Sequence, residues 1–304
     1  MAFRDLDTPD FSRRSLLRLG GLGAAAAALS GLPFGRALMA HDVSEAWPNV
    51  AALAERYVSQ GKVANMMLTF GWGREEHAHI IARGAPSVGA RGEVDADSLY
   101  RIYSMTKPIT GMAAMMLVDE GKLGLDQPVH DLIPAFRDMQ VLADPDGPLD
   151  EVEPAIRPMT VRQLMTHTSG LGYDIVSKGP LQKAYQEAGV VSGRVSKMPI
   201  PGFPDVTPAP GLEAFADRLA EIPLMYQPAT KWSYSFGLDV LGRVIEVASG
   251  QSFDAFLQER FFGPLGMTST FFEVPESEAG RLTTNYGILN GMPLPLDLAS
   301  NSIF

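Results

Sequence analysis

Apolar residues recur at helical spacing along the stretch that follows Lys107. They occupy positions three and four residues apart, at Ile109, Met112, Ala113, Met116 and Leu117. Pro108 falls in what would be the first turn, where its missing amide hydrogen costs nothing, and Gly121 follows the last periodic position. The pattern therefore predicts a helix that ends at Glu120, preceded by a short extended segment at residues 99–103.

The same kind of pattern predicts the remaining elements. Helices are expected at residues 49–60, 161–166, 212–222, 238–249 and 252–262. Two apolar runs, 64–70 and 77–83, predict strands that form a hairpin through residues 71–76, and a last strand is expected at 282–286. Pro, Gly and Asp crowd residues 126–158, and Gly and Pro are frequent at 179–210. These two stretches are therefore expected to be loops, the first with short helical turns.

Composition narrows the class of protein and of site. The chain has 304 residues, of which 46% are hydrophobic and 20% charged, as in an ordinary soluble globular enzyme. Its formal charge is −10, which makes nucleic acid an improbable partner. There is no cysteine, so disulfides, thiolate metal sites and cysteine nucleophiles are excluded. His77 and His79 share one strand face, but without a third ligand they do not predict a metal site.

The first forty residues have the pattern of an export signal. Arg13 and Arg14 stand in a twin-arginine context, and an apolar run at 19–34 with five consecutive alanines follows them. A membrane-spanning helix would need about 20 apolar residues, which this run does not reach. We therefore expect a twin-arginine signal peptide at residues 1–40, cleaved near Ala37 or Ala40. One domain would follow at 41–304, and the mature protein would be periplasmic or secreted, with no stable membrane span.

Ser104 and Lys107 form the candidate for nucleophilic chemistry. Residues three apart share a helix face, so both side chains would lie at the positive end of the predicted helix. A lysine desolvated there can lose its proton and act as a base for the hydroxyl. Ser104 alone could equally be a capping hydroxyl. A second Ser-x-x-Lys match, Ser59 to Lys62, falls at the end of a helical pattern and is interpreted as chance.

The segment SMTKPITGMAAMMLVDEGKL, which begins at Ser104, resembles the nucleophile helix of the serine β-lactamase and penicillin-binding-protein superfamily. Within it, the segment is most similar to the class C-like esterases called family VIII carboxylesterases. The resemblance implies an α+β fold with an antiparallel sheet flanked by helices and a helical lobe. The predicted order of helix, hairpin and nucleophile helix agrees with it.

Two further strings resemble the same family. In the family a tyrosine before a helix faces the nucleophile, and Tyr234 in the segment Tyr234-Ser235-Phe236 matches that position. A phenol paired with Lys107 could move the Ser104 proton to a leaving group, although a buried tyrosine with an ordinary hydrogen bond is the simpler alternative. The string HTSGL, which begins at His167, is also family-like. No G-x-S-x-G elbow accompanies His167, so a structural turn is favoured over a triad base.

The sequence departs from the family pattern at two points. Phe236 stands where the family often has an asparagine that binds the amide beside a lactam ring, which favours esters over antibiotics. The third family motif, Lys-Thr-Gly, His-x-Gly or Trp-x-Gly, does not follow Tyr234. The resemblance covers residues 49–267. We therefore expect an incomplete sheet and a chain that ends before its last strands, with uncertain activity.

These observations predict a serine hydrolase that cleaves carboxylic esters through an acyl-enzyme. The predicted catalytic residues are Ser104, Lys107 and Tyr234, without a metal or an organic cofactor. The partner would be a small-molecule ester or amide. A β-lactamase or D-Ala-D-Ala peptidase is the alternative enzyme. A non-catalytic ligand-binding member of the superfamily is the alternative from another class.

Overall fold

The computed structural model of the chain describes residues 40–71, 78–192 and 206–299. They belong to two compact units. The first combines the chain up to Tyr100 with Ser277–Ala299, and the second is Arg101–Glu276. The predicted signal peptide lies outside the described residues, except for Ala40. Among the residues that are described, no helix is long and apolar enough to cross a membrane.

The first unit is built on a small mixed sheet. Its elements are β1 (Ala40–Asp42), α1 (Pro48–Ser59), β2 (Asn65–Phe70) and β3 (Ala78–Gly84). The antiparallel pairing of β2 with β3 confirms the predicted hairpin strands. β1 pairs parallel to β3 at the sheet's other side and was not predicted, because three residues are too few to show a period of two. Helix α1 buries Ala54 against Ile81 of β3, and both are fully buried.

The second unit is mainly helical. Its elements are α2 (Thr106–Asp119), β4 (Gln140–Leu142), β5 (Val152–Pro154), α3 (Val161–Met165), α4 (Gly179–Glu187), α5 (Leu212–Ala220), α6 (Gly237–Ser249) and α7 (Phe253–Leu257). Single 3₁₀ turns at Val129–Asp131 and Pro134–Phe136 precede β4, and a π-helical turn at Gln258–Phe262 continues α7. The described residues thus confirm five helices predicted in this unit, with ends within two residues apart from α7.

Helix α6 lies at the centre of the second unit. Helices α2, α3, α5 and α7 all contact it. Its inward face buries Leu241, Val244 and Ile245 completely, as the helical spacing of these apolar residues requires. Each fully buried aliphatic side chain contributes about 1.5–3 kcal/mol to folding. The packing of α2 on α6 matters for the site because each helix begins beside one of the candidate catalytic segments.

Helix α2 agrees with its prediction in extent but not fully in its buried face. It ends at Asp119, with Gly121 in the left-handed conformation just beyond. Ala113, Ala114 and Leu117 are buried, whereas Met112 is 48% exposed. Helical spacing alone cannot tell which edge of an apolar stripe faces the core when nearly every position is apolar. Ser104 lies just before α2, in a 3₁₀ turn at Tyr103–Met105.

Two predicted loops and one predicted strand differ from the structure. Residues 126–158 contain the hairpin β4–β5, whose strands are too short to show alternation. Residues 179–210 contain helix α4, where glycine and proline occupy the first turn rather than breaking the helix; residues 193–205 lie outside the described part. The strand expected at 282–286 lies instead at β6 (Asn285–Leu289), paired antiparallel with β7 (Met292–Asp297) in the first unit.

The described residues form one three-stranded sheet and two hairpins, which agrees with the incomplete sheet that was expected. Leu282, assigned by prediction to the start of the last strand, forms an isolated parallel bridge with Leu99. The bridge is supported by two hydrogen bonds, from the Leu99 amide to the Arg281 carbonyl at 2.8 Å and from the Thr283 amide to the Leu99 carbonyl at 2.9 Å. This pairing spans most of the chain, so no local pattern could indicate it.

Two glycines of the second unit test how tightly its backbone packs. Gly170 and Gly250 have φ values of 87° and 73°, but a Cβ at Gly170 would overlap the Tyr226 carbonyl, whereas Gly250 faces open space. Gly170→Ala should lower the free energy of unfolding by about 3 kcal/mol, from left-handed strain plus overpacking. Gly250→Ala should lower it by only about 1 kcal/mol, from strain alone. Urea unfolding followed by circular dichroism measures both; equal losses would contradict the close approach at Gly170.

Candidate active site

Ser104 lies just before the N-terminus of helix α2, on a strained turn. Tyr103, immediately before it, has a φ of 43°, a left-handed conformation that tyrosine rarely adopts. Such strain is kept where the surrounding structure enforces it, and it often accompanies functional sites. The turn directs Ser104 to the same side as Lys107, three residues later, as the spacing predicted.

Of the three residues proposed from the sequence, Lys107 and Tyr234 both lie within hydrogen-bond distance of Ser104 Oγ. The Tyr234 hydroxyl donates to Ser104 Oγ at 2.7 Å. The Lys107 ammonium donates to the same oxygen at 3.3 Å. Ser104 Oγ therefore accepts hydrogen bonds from an ammonium and from a phenol, and either group could act as its base after losing a proton. Sequence spacing brings Lys107 to Ser104, but Tyr234 reaches it only through the packing of α6 on α2.

The pKa of Tyr234 is lowered from its ordinary value. Burial by itself raises it, but hydrogen bonds with Ser104 and Lys107 and the positive charge of Lys107 outweigh burial; Asp239 acts in the opposite direction. A phenol with a lowered pKa gives up its proton more easily than an ordinary tyrosine does. Tyr234 can therefore exchange a proton with Ser104 at short range.

Lys107 is surrounded by aromatic rings rather than by carboxylates. Its Nζ lies 4.9 Å from the centre of the Tyr234 ring and 5.6 Å from that of Tyr173. Within the described part of the chain, no carboxylate lies within ion-pair distance of it. Ring faces attract a cation more weakly than a carboxylate does, so Lys107 remains available for proton transfer to and from its oxygen neighbours.

The first turn of α6 carries a carboxyl group, that of Asp239, close enough to Lys107 to feel its charge. Its Oδ2 is fully buried and has no hydrogen-bond partner among the described residues. Burial raises the pKa of Asp239 to about 6, with Lys107 opposing the shift and Asp174 adding to it. Sequence analysis did not identify Asp239. One sequence signal for it was available. Asp239 is an acidic residue that stands between two apolar residues, Leu238 and Val240, in a predicted helix.

Aromatic side chains support the site from the core. The Tyr173 ring packs edge-on against both Tyr234, at 5.2 Å between centroids, and Phe236, at 4.8 Å. Phe236 is fully buried and also contacts Tyr185 and Phe215, each at 5.3 Å. Phe236 is therefore a core residue that supports Tyr173, and it does not line the open side of the nucleophile. Tyr173 is a further site neighbour that the sequence did not indicate.

Several large apolar side chains near Ser104 and Tyr234 in sequence are exposed. Met105 is 64% exposed, Trp232 is 62% exposed, and Tyr103 is also exposed. Tyr103 and Met105 flank Ser104 in the chain, and Trp232 lies two residues before Tyr234. The second Ser-x-x-Lys match behaves as expected of a helix end, since Ser59 Oγ donates to the Arg56 carbonyl at 3.4 Å and Lys62 lies over the Tyr57 ring.

Comparison with known proteins identifies the family. The Beta-lactamase family model matches residues 50–300. Protein Rv1367c of Mycobacterium tuberculosis is 36% identical over 231 residues, which cover 76% of this chain and 53% of that protein. Esterase EstB of Burkholderia gladioli is 34% identical over 223 residues, covering 72% and 50%.

Among solved structures, EstCE1, described as a hydrolase with promiscuous acyltransferase activity, superposes with a TM-score of 0.64. It is 25% identical, and the match covers 83% of this chain and 59% of that one. The fold is thus the β-lactamase-like α+β fold, with relatives that are hydrolases. The chain belongs to the Beta-lactamase family. It spans about half the length of the curated relatives named here.

The buried carboxyl of Asp239 predicts a pH-dependent stability. A pKa raised from 3.8 to about 6 means that the folded state binds the proton more tightly than the unfolded state. The resulting stabilisation is complete below about pH 4 and is lost as the pH rises through 6. Asp239→Asn does not titrate, so its stability relative to wild type should rise between pH 4 and pH 7, by at most about 3 kcal/mol.

Urea unfolding of both proteins across this pH range measures the difference, and other titrating groups cancel between them. A stability difference between Asp239→Asn and wild type that is constant from pH 4 to pH 7 would contradict the raised pKa.

Proposed function

We propose that the chain is a serine hydrolase that cleaves carboxylic esters through an acyl-enzyme on Ser104. The observation that carries the proposal is the contact of one hydroxyl oxygen, Ser104 Oγ, with Tyr234 at 2.7 Å and Lys107 at 3.3 Å. Esterase EstB is one of the relatives, which supports esters as the substrate class. No metal or organic cofactor takes part in the proposed reaction.

The reaction begins with transfer of the Ser104 proton. With Tyr234 ionised, its phenolate oxygen accepts the proton as Ser104 Oγ attacks the ester carbonyl, and the Lys107 ammonium stabilises the phenolate before transfer. The Ser104 amide lies at the N-terminal end of α2 and can donate to the developing oxyanion. Tyr234 then returns the proton to the leaving alcohol as the acyl–enzyme ester forms.

Deacylation repeats these steps with water. Tyr234 accepts a proton from the attacking water, the carboxylic acid is released, and Ser104 Oγ recovers the proton. An alcohol could enter in place of water and yield a new ester, and EstCE1 is described as having such promiscuous acyltransferase activity. The exposed apolar side chains of Met105 and Trp232, close in sequence to Ser104 and Tyr234, favour acceptors and acyl groups with apolar character.

Two other functions compete with this proposal. A β-lactamase or D-Ala-D-Ala peptidase would use the same nucleophile, but Phe236 is buried in the core where the family often has an amide-binding asparagine. A non-catalytic binding protein would keep the cleft without an activated serine. The hydrogen bonds to Ser104 Oγ support activation, and so favour the enzyme over the binding protein.

Ester hydrolysis tests the roles of the three residues. Ser104→Ala should abolish hydrolysis of p-nitrophenyl acetate, because it removes the nucleophile. Lys107→Ala and Tyr234→Phe should each lower kcat by about 10²–10⁴-fold, because Tyr234→Phe removes the general acid–base group and Lys107→Ala removes the charge that stabilises its phenolate. Ser59→Ala is the matched control and should retain wild-type kcat. If Ser104→Ala were active and Ser59→Ala inactive, the wrong serine would have been assigned.

A fluorophosphonate probe separates an enzyme from a binding protein. Covalent labelling requires an activated serine, so wild type should be labelled and Ser104→Ala should not. Peptide mass spectrometry should place the label on Ser104. An unlabelled wild-type protein that is folded by circular dichroism would favour the non-catalytic alternative.

We also propose export by the twin-arginine route, motivated by Arg13 and Arg14 before the alanine-rich run. Replacing both arginines by lysine preserves charge but removes the recognised pair, so the precursor should remain in the cytoplasm. Cell fractionation with immunoblotting measures this. Normal export of the double variant would contradict the proposed route.

A further inference from the structure

We propose that His167 is a positioning residue that fixes Tyr234, the proposed proton carrier. The inference rests on the proposed function of Tyr234 as the partner of Ser104. Sequence analysis favoured a structural turn at His167 and assigned it no task in the reaction. In the structure, this single residue holds the backbone on both sides of Tyr234 and also packs against its ring.

The backbone contacts come from two different atoms of His167. Its carbonyl oxygen accepts a hydrogen bond from the Ser233 amide at 2.9 Å. Its ring nitrogen Nδ1 accepts one from the Ser235 amide at 3.2 Å. Ser233 and Ser235 are the immediate neighbours of Tyr234, so the peptide units that carry the phenol are held at both ends. Movement of Tyr234 along or away from the turn would break at least one of these bonds.

The contact at Nδ1 fixes the protonation state of the ring. A backbone amide can only donate, so Nδ1 carries no proton and the hydrogen of the neutral ring is on Nε2. Burial and the positive charge of Lys107 lower the pKa of His167, which keeps the ring neutral. Ser235 Oγ also lies 3.1 Å from Nδ1 and accepts from the Gly237 amide at 3.2 Å. The ring is thereby linked to the first turn of α6.

The side chain also forms one wall around the phenol. The rings of His167 and Tyr234 are 4.7 Å apart between centroids and inclined by 41°. Trp232 packs edge-on against the imidazole, with 5.9 Å between the ring centroids. Tyr173 contacts Tyr234 as well, at 5.2 Å. The phenol is thus confined between two rings, and its hydroxyl is directed at Ser104.

The backbone of His167 is adapted to this position. Its φ is 56°, in the left-handed region, where histidine is enriched among non-glycine residues. Both backbone polar groups of the next residue, Thr168, are hydrogen-bonded. Its amide donates to the Gln163 carbonyl at 2.9 Å, and its carbonyl accepts from the Ala229 amide at 2.8 Å. These bonds hold the turn that directs both the carbonyl and the ring of His167 toward the Tyr234 segment.

The same contacts argue against His167 as a general base for Ser104. Among the described residues, the hydrogen-bond partners of Ser104 Oγ are Lys107 and Tyr234. The unprotonated nitrogen of His167 is already occupied by the Ser235 amide. His167 therefore acts on the reaction through the place of Tyr234, and a displacement of about 1 Å at a reacting group can cost about 10²-fold in rate.

Two substitutions that both tolerate a positive φ test the proposal. His167→Gly removes the ring and the Nδ1 acceptor, whereas His167→Asn keeps an acceptor close to the place of Nδ1. With p-nitrophenyl acetate, His167→Gly should lower kcat by about 10- to 100-fold with little change in KM, and His167→Asn should recover most of that loss. His130→Asn, at another partly buried histidine of the second unit, is the matched control and should keep wild-type kcat.

A double-substitution cycle distinguishes positioning from general loosening of the fold. If His167 acts through the Tyr234 hydroxyl, His167→Gly should have little further effect in a Tyr234→Phe background, so the two effects should be strongly non-additive. Wild-type kcat in His167→Gly would overturn the proposal. The proposal would also be overturned if His167→Gly lowered kcat by the same factor in the wild-type and Tyr234→Phe backgrounds. A kcat of His167→Asn no higher than that of His167→Gly would overturn it as well.

A second measurement separates this inference from the proposed function. If wild type hydrolyses no ester and takes no fluorophosphonate label, the proposed function fails, and titration of ¹³C-labelled tyrosine by NMR decides the role of His167. Tyr234→Phe assigns the resonance. His167→Gly should move the phenol pKa of Tyr234 up toward its ordinary value, because the hydroxyl leaves Ser104 and Lys107. An unchanged Tyr234 titration would overturn the positioning role.

Discussion

The hydrogen bond from Tyr234 to Ser104 is the interaction on which the rest of the site depends. It joins residues 130 positions apart in the chain, so neither helix α2 nor helix α6 can form it alone. The buried face of α6 supplies the necessary rigidity, since α2, α3, α5 and α7 all pack around it. A close-packed interior resists small shifts, and the distance between nucleophile and phenol is set by that packing.

Electrostatics at the site follow from the same burial. Desolvation raises the pKa of Asp239 and lowers that of His167, whereas direct contacts with Ser104 and Lys107 outweigh desolvation at Tyr234. The carboxyl and the imidazole are thus pushed toward their neutral forms, and the phenol toward its charged one. Lys107 is left as the principal positive charge beside Ser104, which suits the proposed reaction, since that reaction develops negative charge on oxygen.

The loop that begins at His167 holds the segment that carries Tyr234 in place through backbone hydrogen bonds. Its residues pair with the segment that leads to α6: Gly170 accepts from Met225 at 2.8 Å, and Gly172 accepts from Phe236 at 3.0 Å. These bonds align the Tyr234 segment in the way that a strand partner would. The hydrogen bonds show what the string that begins at His167 does in this chain.

Local patterns determined the helices α1, α2, α5 and α6 and the strand pair β2–β3, because their periodicity and end residues lie within the element itself. They also placed Lys107 beside Ser104, since a spacing of three is fixed by helix geometry. Tertiary structure alone decided the hydrogen bond between Tyr234 and Ser104 and the burial of Phe236 and the Asp239 carboxyl. It likewise decided the hydrogen bonds that His167 accepts from the residues on either side of Tyr234. It also decided β1, β4–β5 and β6–β7, whose short strands exist only through their partners. Each of these depends on residues distant in sequence, and packing between segments leaves no mark in the spacing of either one.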